Sequence, residues 1–234
     1  MIVAVARLLE DGECAATGTL SPIPAAGCLL ARHTHAPNLV PIIYGDPESR
    51  ISEGLFELFG LAQKGKVDVF FLSGIQIDQE GNINLSVIGD YDKPDLRLPG
   101  GAGSSMLYAL AKRTILFSTN HSTRLFVPRV DFINATAADR TVTTPWRRGA
   151  MSHAVTPMCI MRFEREKRRI VLDTLLPGIS LEEVIANTGF DLGVGGRSVP
   201  SMDPPTDEEL RVLRGAVREQ MQAIYPLFAK LLWG

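Results

Sequence analysis

The sequence predicts an α/β protein with an open, mostly parallel sheet and flanking helices. Three observations carry that prediction. The run VDVFFL at 67–72 is short, apolar and rich in β-branched and aromatic side chains, the composition of a strand buried on both faces. Residues 13–33 read as a strand, a loop carrying Gly18, and a helix opening on Ser21-Pro22, a cap followed by proline. Such strand–loop–helix units build open α/β sheets, whose ligands sit beyond the C-terminal ends of the strands. Residues 52–64 form an amphipathic helix between a strand at 39–44 and the 67–72 run.

Bulk properties narrow the function. The length of 234 residues fits one domain over 1–234, and 45% hydrophobic residues are enough for a substantial core. A net charge of −2 gives no reason to expect a nucleic-acid or membrane-surface partner. The basic run at 162–169 contains two glutamates and lies between apolar stretches, so it reads as a solvated hairpin tip. Cys14, Cys28 and Cys159 are odd in number, far apart and without metal-ligand spacing, which fits free thiols in a reducing compartment. No metal site is expected. Residues 1–9 are too short for a signal peptide, and no apolar run is long enough to cross a bilayer. The expectation is a soluble cytoplasmic protein.

In chain order, residues 2–10 predict a helix with Ile2, Val5, Ala6 and Leu9 on one face, stopped by Asp11-Gly12. His33 and His35 lie in a helix-to-strand turn and read as polar connectors. Ser52 is a plausible cap for the 52–64 helix, which offers Leu55, Phe56, Leu58, Phe59 and Ala62 to the core. Apolar and polar residues alternate over 74–78 and 83–88, giving a hairpin with Gly81 at positive φ. Residues 99–106 are a glycine-rich loop running into a helix at Ser104. Glycines let backbone amides approach a ligand, and the first amides of a helix have no intrahelical partner; together they suit an anion or developing oxyanion. A strand follows at 113–118. Residues 135–153 lack a period and read as a surface loop at the site mouth or a subunit contact. Two antiparallel strands, 156–162 and 169–175, precede a helix at 181–187 with Ser180 and Glu183 forming a capping box. A last helix runs to about 224, and the apolar segment 225–233 packs on a partner or on the domain itself.

The central stretch carries a resemblance. Gly74, Gln76, Asp78, Gly81, Asn82 and Asn84, then Ile88-Gly89-Asp90-Tyr91, Pro94 and Arg97-Leu98-Pro99-Gly100-Gly101-Ala102-Gly103, resemble the signature of the β (B) subunit of family I CoA transferases, in particular the glutaconate CoA-transferase group. Ala102 stands where the family has glycine. Thr34-His35-Ala36-Pro37, the Arg124, Phe126, Val127, Asp131, Phe132 pattern and LPGISLEEVIANTGFDL at 176–192 extend the likeness along the chain.

The resemblance implies the CoA-transferase β-subunit fold, a separately encoded α subunit in a heterodimer or heterotetramer, an acyl-CoA thioester as substrate and no permanently bound cofactor. It implies that Gly18 lines the acyl-CoA site and that Gly100, Gly101, Ala102 and Gly103 form the oxyanion and substrate loop. Gln76 and Asn84 either line the substrate or bond locally, whereas Asp78 and Asn82 read as turn formers. Arg97 either forms a salt bridge or pairs a substrate carboxylate. Family members carry their nucleophilic glutamate in a Glu-Ser-Gly turn. Here Tyr44 passes directly to Gly45-Asp46-Pro47, so that turn is missing, and Glu48 is the nearest carboxylate. Glu48 is either the nucleophile or a first-turn helix residue favoured by the dipole. Three functions follow: CoA transfer between carboxylic acids; glutamate-free acyl-CoA hydrolysis, carbon–carbon cleavage or decarboxylation; or a non-catalytic subunit completing its partner's site. Family substrates span dicarboxylic, 3-oxo and ring-derived acids.

Overall fold

The computed structural model describes residues 1–49, 54–137 and 149–234. The chain enters through α1 (Ile2–Ala6), β1 (Cys14–Ala16), α2 (Pro22–His33), β2 (Val40–Ile42), α3 (Leu55–Gln63) and β3 (Val69–Leu72). Two small hairpins follow, β4 (Gln76–Ile77) with β5 (Ile83–Asn84) and β6 (Val87–Gly89) with β7 (Pro94–Arg97), and then α4 (Ser104–Leu110). The sheet resumes with β8 (Arg113–Phe117), β9 (Met151–Val155), β10 (Cys159–Glu164) and β11 (Arg169–Leu175). Helix α5 (Leu181–Ala186) leads to α6 (Asp207–Val212), a π-helical segment (Leu213–Val217), α7 (Arg218–Ile224) and α8 (Pro226–Trp233).

Seven strands form one sheet in the order β11-β10-β9-β8-β3-β1-β2. The five from β2 to β9 are parallel, and β10 and β11 add on antiparallel. The mostly parallel sheet with flanking helices is therefore the architecture the sequence predicts. Strand β3 shows why. Phe70 and Leu72 enter the core on one face, with α3, α4 and α5, while Val69 and Phe71 enter the core on the other, with α1, α2 and the C-terminal helices. Each such buried side chain contributes about 1.5–3 kcal/mol, which is what makes this run the sheet's centre.

Local signals place several boundaries. Helix α2 spans the predicted residues, with Pro22 at its first turn. Gly27 allows α1 to lie against it, since a Cβ there would stand 2.4 Å from Val5 Cγ1. Ser180 with Glu183 and Thr206 with Glu209 both form capping boxes. Among the described residues, no helix is long and apolar enough to cross a membrane.

Three elements differ from expectation. Helix α1 stops at Ala6 because Arg7 turns to Glu209, donating Nε to Oε1 at 2.8 Å and Nη2 to Oε2 at 2.7 Å, and to the carbonyls of Asp203 and Pro204. Strand β9 lies inside the 135–153 stretch expected to be loop. Its polar Ser152 and His153 hide the alternation, while Met151, Ala154 and Val155 are buried. The final helix carries a π segment that no local signal announced. The proposed cap Ser52 and residues 138–148 lie outside the described residues.

Candidate active site

Strand β1 is the topological switch point. Its neighbours β2 and β3 lie on opposite sides, and α2 and α3, which connect these strands, pack on opposite faces of the sheet. Loops leaving the C-terminal ends of β1 and β3 therefore diverge and leave a crevice, the usual ligand position in open α/β sheets. A cleft of about 300 Å³ opens there. The β1 loop contributes Gly18, Thr19, Leu20 and Ser21, and the end of β3 contributes Phe70, Phe71, Leu72 and Ser73. Gly100, Gly101, Ala102, Gly103, Ser104 and Leu107 form the wall at the start of α4, with Leu55, Leu85 and Phe117 completing the lining.

Each position in the glycine loop has its own physical reason. Gly100 sits at φ +87, a conformation L side chains rarely adopt. At Gly103 a Cβ would stand 2.1 Å from Phe59 Cζ, so the missing side chain lets α3 pack on the loop. Gly101 has neither constraint, because its Cβ would meet Leu85 Cδ1 at 3.5 Å and Asn134 Nδ2 at 3.6 Å, ordinary contacts. The Gly100 amide donates to Leu85 O at 3.1 Å and Ser104 to Gly101 O at 2.7 Å. The amides of Gly101, Ala102 and Gly103 have no acceptor among the described residues.

Two lining residues hold strained backbone. Leu20 at φ 55 and Ala102 at φ 44 are non-glycine residues in the left-handed region; the third among the described residues, Arg168, is at the β10–β11 tip. Such positions cost on the order of 1 kcal/mol or more and cluster at functional sites. Ser21 occupies the cap position of α2 but makes no capping bond; its hydroxyl donates to Thr19 O at 3.5 Å, within the loop.

The structure thus gathers Gly18, Gly100, Gly101, Ala102 and Gly103 around one cleft. Gln76, Asn84, Arg97 and Glu48 do not line it. Gln76 and Asn84 are buried and brace the hairpins: Asn84 Nδ2 donates to Gln76 Oε1 at 2.7 Å, and Gln76 Nε2 donates to Asp131 Oδ2 at 2.9 Å. Arg97 lies on the surface with its guanidinium 4.6 Å from the centroid of the Tyr91 ring, donating to Tyr91 O. Glu48 is exposed in the turn after β2, its amide donating to Asp46 Oδ1 at 3.0 Å. Sequence reasoning overlooked Ser73 and Phe117 in the lining. Their positions at the C-terminal ends of β3 and β8 were the available signal. No Asp, Glu, Lys, Arg or His stands among the described residues that line the cleft.

Residues 41–187 match the coenzyme A transferase family. The chain is 33% identical to the β (B) subunit of 3-oxoadipate CoA-transferase from Pseudomonas knackmussii, over 92% of this chain and 90% of that protein. Its fold is similar to glutaconate coenzyme A-transferase from Acidaminococcus fermentans, with a TM-score of 0.79 at 23% identity over 95% of both chains. It is also similar to the decarboxylase AibA/AibB, with a TM-score of 0.78 at 23% identity over 99% of this chain and 95% of that one. A match across most of the chain, added to a glycine loop at the switch point of the sheet, places this chain in the coenzyme A transferase family.

Proposed function

We propose that the chain is the β subunit of a two-subunit enzyme that acts on an acyl-CoA thioester and transfers CoA between carboxylic acids. The observation that carries this reading is the set of three unpartnered amides, Gly101 to Gly103, lining a cleft at the switch point. When a nucleophile adds to a thioester carbonyl, charge collects on the oxygen. Fixed amides without an internal acceptor stabilise that charge, and no reorganisation is needed at the moment of reaction. Gly18 belongs to the same lining, while Gln76 and Asn84 hold the hairpins that support the loop. That the 33% identical relative is one subunit of its enzyme supports an α-subunit partner that closes the cleft. Three free cysteines support a cytoplasmic location, and the whole of 1–234 acts as one domain.

In the transfer reading Glu48 is the nucleophile. Its carboxylate attacks the thioester carbon, releases CoA thiolate and leaves a mixed anhydride. The thiolate then attacks the glutamyl carbonyl, releasing the free acid and leaving a glutamyl-CoA thioester. One observation favours a second reading: the described lining holds no ionisable side chain, and Glu48 lies outside it. The α subunit then supplies the acid–base group, and the reaction is hydrolysis, carbon–carbon cleavage or decarboxylation of the acyl-CoA. Borohydride treatment of the assembled complex after incubation with acyl-CoA separates the two. Transfer leaves a reduced adduct at Glu48, whereas turnover without an adduct assigns the chemistry to the partner's group.

A further inference from the structure

The chemistry of the cleft wall says which acyl group it accepts. Away from the amides of Gly101 to Gly103, its surface is built from Leu20, Leu55, Leu72, Leu85, Leu107 and Phe117. The cations on the surrounding elements are engaged elsewhere. Arg97, nearest in sequence to the loop, lies over Tyr91. Arg113, at the opposite end of β8 from Phe117, donates to both carboxylate oxygens of Glu13 at 2.7–3.0 Å, and Lys112 pairs with Asp68. A second carboxylate on the acyl chain would lose its water in this space and meet no described donor but the amides needed at the thioester. Burying an unpaired carboxylate is strongly unfavourable, whereas methylene groups gain from the same wall.

We infer that the cleft is an acyl-chain site selective for uncharged, apolar acyl groups carried on CoA, and that it discriminates against ω-carboxylated ones. This rests on the thioester function proposed above and adds the substrate class. Leu20 sets the mouth of the site: it is 81% exposed and held at φ 55, so its side chain is available to an incoming chain instead of the core.

The test compares two thioesters of equal carbon count, hexanoyl-CoA and adipyl-CoA, with free CoA as reference. Equilibrium binding is measured to the assembled complex of this chain with its α subunit. Hexanoyl-CoA is expected to bind at least about 100-fold more tightly than adipyl-CoA. Two variants locate the effect. Leu85→Arg places a cation beside Gly101, and Leu20→Arg places one at the exposed mouth, where the fold is not at risk. At least one of them should narrow the preference about tenfold or more. Equal or tighter binding of adipyl-CoA by the unsubstituted complex overturns the inference and leaves the thioester function standing. A preference that neither variant moves, with both folded, also overturns it, because the selecting surface then lies elsewhere. If neither thioester nor free CoA binds, the thioester function fails and the inference with it.

Discussion

At the scale of single residues, adjacent glycines in the cleft loop have different reasons to be glycine. Gly103 is required by packing, because any side chain would enter the Phe59 ring. Gly101 is sterically free within the chain. Gly103→Ala is therefore expected to cost about 1–3 kcal/mol in stability through overpacking, measured by urea unfolding. Gly101→Ala should leave the unfolding midpoint close to that of the parent while its methyl group displaces the thioester. A displacement of that size costs on the order of 10²-fold in kcat/KM, read on the assembled complex. If Gly101→Ala keeps full activity, the loop is not where the thioester lies. The glycine pattern was legible in the sequence as a loop, but the division of labour within it was not. Phe59 reaches Gly103 from a helix some forty positions away, and no local pattern announces that contact.

At the scale of elements, the hairpin between β4 and β5 depends on Asp78. Its buried carboxylate accepts from the amides of Glu80 and Asn82 at 3.1 Å, from Asn82 Nδ2 at 2.9 Å and from the Val130 amide at 3.3 Å. Asp78→Ala leaves those donors unsatisfied in a buried turn. A loss of about 2–4 kcal/mol is expected in chemical denaturation, and Asp78→Asn, which keeps one acceptor, should lose less. This turn was readable in advance: Gly81 takes φ +71 as the alternation demanded, and Asx side chains bond nearby backbone. The second hairpin, β6 with β7, was not. Its outer strand is mostly exposed and offers no buried face to mark it, and Gly89 holds its bend by donating to Asp131 Oδ2 at 3.0 Å, far along the chain.

At the scale of the whole molecule, two apolar cores sandwich the sheet, and a buried histidine ties separate segments at the edge of one of them. His121 Nδ1 meets Thr156 Oγ1 at 2.9 Å and Nε2 meets Thr188 Oγ1 at 3.0 Å, with the Phe126 ring centroid at 4.6 Å. Burial lowers its pKa from 6.5 to about 4. The folded chain therefore resists a proton that the unfolded chain accepts below pH 6.5. This contribution is intact above pH 6.5 and is lost as pH falls toward 4, by on the order of 2–3 kcal/mol. His121→Gln should flatten that part of the stability profile between pH 7 and 4, measured by urea unfolding at each pH. An unchanged profile would show that the imidazole is solvated and titrates normally.

The amino-acid sequence alone determined the strand buried on both faces, the span of α2, the Ser180–Glu183 cap, the Gly81 turn and the glycine loop. Each follows from side chains within a few positions of one another, acting through backbone sterics, local hydrogen bonds or apolar periodicity. The tertiary structure decided the order of the strands, the inclusion of β9, the inward commitment of Gln76 and Asn84, and the absence of charge from the described cleft wall. Those outcomes depend on which distant segments reach the same space and compete for the same hydrogen bonds, a competition settled only when the sheet closes its two cores.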